Sequence, residues 1–121
     1  MTRTALIVDD SSSVRQMVGY TLRQAGFTVV EGQNGADALE KLGDQRVNLV
    51  ITDLNMPVMD GIEFIRQLRS KPNGKYTPVL MLTTENQAEK KQAGRAAGAT
   101  GWIIKPFQPE KLLEVVAKVV P

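Results

Sequence analysis

The chain contains neither cysteine nor histidine. The first absence excludes a disulfide framework, a thiol nucleophile, iron–sulfur clusters and thiolate zinc sites. The second excludes Ser-His-Asp and Cys-His catalysis and every imidazole metal site. Long apolar runs are missing as well. Met1-Thr-Arg-Thr leads only into the short run Ala5 to Val8. That run is too brief for a signal-peptide core or a membrane span, so a cytoplasmic protein with no membrane insertion is expected. Repeats, low-complexity tracts and linkers are absent too. Chemistry here must therefore use carboxylates, lysine, hydroxyls, backbone groups and a hard metal ion if one binds.

What is present suits one folded domain spanning residues 1–121. Of 121 residues, 42% are hydrophobic and 23% charged, enough to build a core and not the composition of a disordered tail. The net charge of +2 is too mild to announce nucleic acid. Its distribution says more. Residues 1–85 hold 9 basic and 10 acidic groups, whereas residues 86–121 hold 6 basic and 3 acidic. The excess is either a solvated surface or a basic docking face for an acidic partner.

Five short apolar runs recur: Ala5–Val8, Phe27–Val30, Leu49–Ile51, Val79–Leu82 and Trp102–Ile104. All but the second are continuous rather than alternating, as in strands of a parallel sheet covered on both faces. Thr28 interrupts the second run, which predicts an edge strand. Amphipathic segments at helical spacing separate the runs. They are marked by Val14, Met17, Val18, Thr21, Leu22 and Ala25; by Ala36, Leu39 and Leu42; by Ile62, Ile65 and Leu68; and by Leu112, Leu113, Val116, Ala117 and Val120. The remaining segment, about residues 86–97, offers only Ala88, Ala93, Ala96 and Ala97 for a buried side, which predicts a lightly packed, mobile helix. Gly26 and Gly98 suit helix ends, Pro78 a strand start and Pro109 a first helical turn. The fivefold strand–helix alternation implies an α/β sheet with helices on both faces.

In such sheets ligands bind beyond the carboxyl ends of the strands. Asp9 and Asp10 follow the first strand, Asp53 the third, Thr83 and Thr84 the fourth, and Lys105 the fifth. Helix capping accounts for one or two such residues but not for the whole set. Carboxylates meeting at one rim repel, by roughly 4 kcal/mol per pair at about 4 Å and an effective dielectric near 20. A cation or a proton must relieve this. Oxygen ligands favour Mg²⁺, which usually completes its shell with water and phosphate oxygens. Metal, ammonium and hydroxyl together suit the three oxygens of a phosphoryl group, and a neighbouring carboxylate can attack it. Asp53, alone at the end of the central run, is the candidate nucleophile.

The pattern Asp9-Asp10, then Asp53-Leu-Asn-Met-Pro-Val-Met-Asp-Gly61, then Thr83, then Lys105-Pro106-Phe107 resembles the receiver domain of two-component response regulators. The length is similar to that of the single-domain chemotaxis regulators of the CheY type. The resemblance covers essentially the whole chain and implies a flavodoxin-like (βα)5 fold with sheet order 2-1-3-4-5 and no output domain. It implies that Asp53 accepts the phosphoryl group. Asp10, Asp53 and the backbone carbonyl of Asn55 would hold Mg²⁺, with Mn²⁺ as a substitute and Asp9 acting through a metal-bound water. Lys105, preceding a cis proline bond, would pair with phosphoryl oxygens. Thr83 would hydrogen-bond one of them and draw the following loop inward, and Trp102 would be the switch aromatic that turns inward with it. Asn55 and Glu85 would tune the phosphoryl lifetime, although Glu85 could equally cap the fourth helix.

The implied function is a phosphorylation-controlled switch rather than an enzyme, although it would catalyse its own phosphorylation and dephosphorylation. A chemotaxis-type histidine kinase would supply the phosphoryl group. The face formed by helix 4, strand 5 and helix 5, with Lys90, Lys91, Arg95, Trp102, Lys111 and Lys118, would bind a target such as a flagellar motor switch protein. A phosphatase is a further expected partner, nucleic acid is not, and the chain is expected to be a monomer. Alternatives within the family are a phosphorelay intermediate or a phosphate sink without a motor target. Outside it, a flavin carrier needs a phosphate loop where Asp9 and Asp10 stand, and an aspartate phosphatase spaces its two acids by one residue.

Overall fold

The computed structural model describes residues 3–84 and 88–120, residue 88 by its backbone alone. Strands and helices alternate as β1 (Arg3–Val8), α1 (Ser12–Gln24), β2 (Phe27–Gly32), α2 (Gly35–Leu42), β3 (Leu49–Asp53), α3 (Gly61–Ser70), β4 (Val79–Thr84), α4 (Ala88–Ala97), β5 (Gly101–Lys105) and α5 (Pro109–Val119). All strand pairs are parallel, in the order β2-β1-β3-β4-β5. The strand interrupted by Thr28 is indeed at an edge.

Two cores explain why the runs are continuous. Ala5, Ile7, Leu49, Ile51, Leu80 and Leu82 point toward α1 and α5, where Val18, Leu22, Leu112 and Val116 meet them. Their neighbours Leu6, Val8, Val50, Val79 and Met81 point the other way, onto Ala38, Leu42, Phe64, Ile65 and Leu68 of α2 and α3. Successive side chains leave opposite faces of a strand, so both sets must be apolar. Each fully buried Leu or Ile contributes about 1.5–3 kcal/mol.

Local chemistry sets the boundaries. The Ser11 side chain caps α1 by accepting from Val14 N, and Asn34 caps α2 and Asp60 caps α3 in the same way. Pro109 occupies the first turn of α5. Gly26 and Gly98 leave their helices at φ 97° and 118°, a region glycine enters without steric cost. The Lys105–Pro106 bond is cis.

The helical faces differ from expectation in places. In α1, Met17 and Ala25 are exposed, so the buried stripe narrows to Val18, Thr21 and Leu22. In α2 the buried small residue is Ala38, not Ala36. The larger correction concerns α4. Ala93 and Ala96 are exposed and Ala97 is half-buried, while the side chain of Ala88 lies outside the described residues. The buried position is Gly94. A Cβ there would stand 2.2 Å from Met81 Sδ, so the methionine fills the space that an alanine would need. The buried contact of α4 is thus made by Met81 packing onto Gly94 rather than by an alanine stripe.

Gly61 is the glycine with least room. A Cβ on it would lie 2.1 Å from the backbone oxygen of Asp53, and its own N–H donates to Leu54 O at 2.9 Å. Neither atom can step aside as a flexible side chain would. Gly61→Ala is expected to lower the urea-derived unfolding free energy by about 1–3 kcal/mol, the range for overpacking.

Candidate phosphoryl-acceptor site

Parallel pairing delivers all carboxyl ends of the strands to one rim. Val8 pairs with Thr52, Asp53 with Leu82, Thr83 with Ile104 and Thr84 with Lys105. Asp9 therefore follows β1 beside the end of β3, where Asp53 stands. Thr83 lies one residue beyond the partner of Asp53, and Lys105 closes β5.

Asp9 is fully buried and Asp53 nearly so. The Asp9 carboxylate accepts from Ser11 N at 2.9 Å through Oδ1, and Lys105 Nζ lies 3.3 Å from its Oδ2. The same ammonium is 3.2 Å from Asp53 Oδ1. Asp10, by contrast, is exposed, yet one oxygen from each of Asp9, Asp10 and Asp53 falls within 4.8 Å of the others. One ammonium thus serves two of three carboxylates, and the third faces water.

The charge balance shows in Asp53. Burial and then the neighbouring Asp9 charge push its carboxyl above the usual carboxylate range, with Lys105 pulling the other way. A carboxyl kept high in this manner gains when a cation arrives. The donor set consists of oxygens alone, two buried and one open to solvent. That composition suits a hard cation such as Mg²⁺, which keeps part of its water shell. Thr83 supplies an independent fit. Its hydroxyl is fully buried and, among the described residues, is the buried side-chain polar atom left without a hydrogen-bond partner. Such an atom costs about 1–3 kcal/mol unless something fills its bonding capacity, and a phosphoryl oxygen would.

The other expected site residues are spread more widely. Asn55 is exposed on the loop after β3. Glu85 lies outside the described residues. Trp102 is half-buried on β5, back from the rim, beneath two cations of α4: Lys91 Nζ is 5.2 Å and Arg95 Cζ 4.9 Å from its ring centroid. Lys90 is exposed on the same helix. Lys111 and Lys118 belong to α5, where both approach Glu114, at 3.7 and 3.9 Å. Their charge is partly balanced, so the basic excess concentrates on α4.

Arg15 was not anticipated. Its Nη1 donates to the Asp9 carbonyl at 2.5 Å and its Nε to Glu31 at 3.2 Å. The guanidinium ties the backbone of the acidic turn to β2. A signal was available: Arg15 precedes buried Val18 by three residues and Leu22 by seven, in phase with the apolar stripe.

Comparison with known proteins agrees with this geometry. The family model for the response regulator receiver domain matches residues 5–117. The chain belongs to the response regulator receiver family. As a receiver it is 38% identical over 111 residues to the chemotaxis protein CheY1 of Helicobacter pylori, covering 90% of each chain. It is 50% identical to the chemotaxis response regulator CheY4 of Vibrio cholerae, whose structure superposes with a TM-score of 0.92 over 98% of this chain and 99% of that one. The fold also matches the receiver domain of a Pseudomonas aeruginosa sensor histidine kinase at 24% identity, with a TM-score of 0.90 over 99% of this receiver and 98% of that chain. That structure holds a magnesium ion in its active-site cleft.

The raised Asp53 carboxyl has a consequence for stability. Its folded value lies above the ordinary 3.8, so the native state binds this proton more tightly than the unfolded chain does. Ionised Asp53 therefore opposes folding at neutral pH, and the opposition disappears as pH falls below the ordinary value. In chelator, Asp53→Asn should melt above the wild type at pH 7, with the gain shrinking toward pH 3.5. Thermal melts across that range measure it.

Proposed function

We propose that this receiver is a signalling switch that takes a phosphoryl group on Asp53. The observation carrying the proposal is the juxtaposition of the Asp53–Lys105 pair at 3.2 Å with the unpartnered, buried Thr83 hydroxyl on the adjacent strand. One group is a nucleophile, the second a fixed positive charge and the third a free donor.

In the reaction, an Asp53 carboxylate oxygen attacks phosphorus and the bond from phosphorus to the donor atom breaks. The leaving atom is the imidazole nitrogen of a partner's phosphohistidine or the carboxyl oxygen of acetyl phosphate. The product is an acyl phosphate on Asp53. Asp10, Asp53 and the Asn55 carbonyl would hold Mg²⁺, or Mn²⁺ in its place, with Asp9 one water removed; when bound, the ion would supply charge neutralisation for the phosphoryl oxygens. Lys105 would pair with one phosphoryl oxygen. Thr83 donates to another, drawing the segment after β4 toward the site. Asn55 and Glu85 would then govern access of the attacking water.

The readout would be the α4–β5–α5 face, with Trp102 turning inward as Thr83 engages. Lys90, Lys91 and Arg95, with Lys111 and Lys118, suit an acidic or amphipathic segment of a target. Similarity to chemotaxis proteins of Helicobacter and Vibrio favours a chemotaxis-type histidine kinase as donor and a flagellar motor switch protein as target. A phosphatase is a further partner in this reading. A phosphorelay intermediate or phosphate sink is the second reading, since it needs the same acceptor chemistry and no motor target. The proposal includes a monomeric, cytoplasmic switch with its receiver domain over residues 1–121, which is not a turnover enzyme and binds neither nucleic acid nor membrane. Among the described residues no helix is long and apolar enough to cross a membrane.

Incubation with acetyl phosphate and Mg²⁺ should raise the intact mass by one phosphoryl group. Asp53→Asn or added chelator should abolish the gain, and no gain in the wild type would refute the proposal. Thr83→Val separates chemistry from switching. It removes the orphaned hydroxyl and should stabilise the resting protein by about 1 kcal/mol in urea titrations. It should still take up phosphate, while the tryptophan emission no longer responds.

A further inference from the structure

Trp102 is the only tryptophan in the chain, and α4 holds it by charge. Lys91 and Arg95 stand one helical turn apart, and both cations lie about 5 Å from the indole centroid, at 5.2 and 4.9 Å. With Gln92 and the indole they line a shallow recess of about 340 Å³. The ring itself rests on the core around Met81, its register neighbour on β4.

Elsewhere α4 meets the sheet at a glycine rather than through a large side chain of its own. Gly94 is its buried position, and Met81 occupies the space where a side chain would pack. At its far end Arg69 donates to Gly98 O at 2.7 Å, which anchors the chain just past the helix. Between Gly94 and that anchor no large apolar side chain secures the helix. The two cation–indole contacts join α4 to β5 through side chains.

We infer that Lys91 and Arg95 are positioning residues that hold Trp102 in its resting place and so set how readily the phosphoryl site is occupied. This rests on the proposed coupling of Thr83 to Trp102. An indole that turns inward must leave both cations behind. The contacts then weight the equilibrium toward the resting state. A ligand that prefers the active state binds more weakly by the same factor, because linkage is reciprocal. Removing both contacts should strengthen binding roughly 5- to 30-fold, the factor that corresponds to two exposed cation–π contacts. The cationic head is what matters. Exchanging lysine and arginine keeps the clamp, whereas glutamine keeps the approximate length and loses it.

The experiment is a beryllofluoride titration in Mg²⁺ on the full chain, read by the emission of Trp102. Three proteins are compared: wild type, Lys91→Gln/Arg95→Gln, and the charge-preserving Lys91→Arg/Arg95→Lys. The glutamine double variant should bind beryllofluoride roughly 5- to 30-fold more tightly, and its unliganded emission should already lie toward that of saturated wild type. The charge-preserving variant should titrate like wild type. Equal affinities for wild type and the glutamine variant overturn the inference, as does an equal shift in both variants, which would mark mere helix perturbation. Normal phosphoryl uptake by mass with no emission change in wild type also overturns it, because Trp102 then does not move. Absence of both uptake and binding in wild type overturns the receiver chemistry and the inference together.

Discussion

Lys105 reaches two carboxylates with one ammonium, and the architecture of the rim follows from that reach. Asp9 and Asp53 end neighbouring strands, and burial would make their joint ionisation costly. The lysine comes from β5, two strands away from β3. Strands are spaced about 4.8 Å apart, so only a long side chain spans the gap. Asp10 lies exposed beside the pair, and the Asp53 carboxyl stays raised despite the ammonium. The site is held together and yet remains short of positive charge. That imbalance favours the binding of a hard cation such as Mg²⁺.

Thr83 completes the logic on the strand between. A buried hydroxyl without a partner is a poor choice for stability and a useful one for detection. It sits one residue before the end of β4. The proposed switch draws on this placement: the Thr83 hydroxyl has no partner among the described residues, and β4 leads on to α4.

Much of this was legible in particular residues. Continuous apolar runs announced strands covered on both faces, and Thr28 identified the edge. Asp9, Asp53, Thr83 and Lys105 were legible as a rim because each stands at or next to the carboxyl end of a strand. Other features were not legible because they depend on what stands opposite. The alanines of α4 suggested a small-residue face, but the face is set by where Met81 projects, and that selects Gly94. Arg15 hid within an apolar stripe because its partners, the Asp9 carbonyl past β1 and Glu31 on β2, are set by the strand pairing. Glu114, three residues after Lys111 and four before Lys118, is a partner that helical spacing alone makes legible.

The sequence by itself determined the element order, the double-sided core and the chemical types available at the rim. Those follow from periodicity and composition, which act locally along the chain. The motif resemblance supplied the strand order, which periodicity could not. Only the tertiary structure decided that one lysine serves two aspartates, that the Thr83 hydroxyl is left without a partner, and that two cations of α4 rest on Trp102. These are distances between residues far apart in the chain. They depend on which strands become neighbours and on how far each side chain must reach across them.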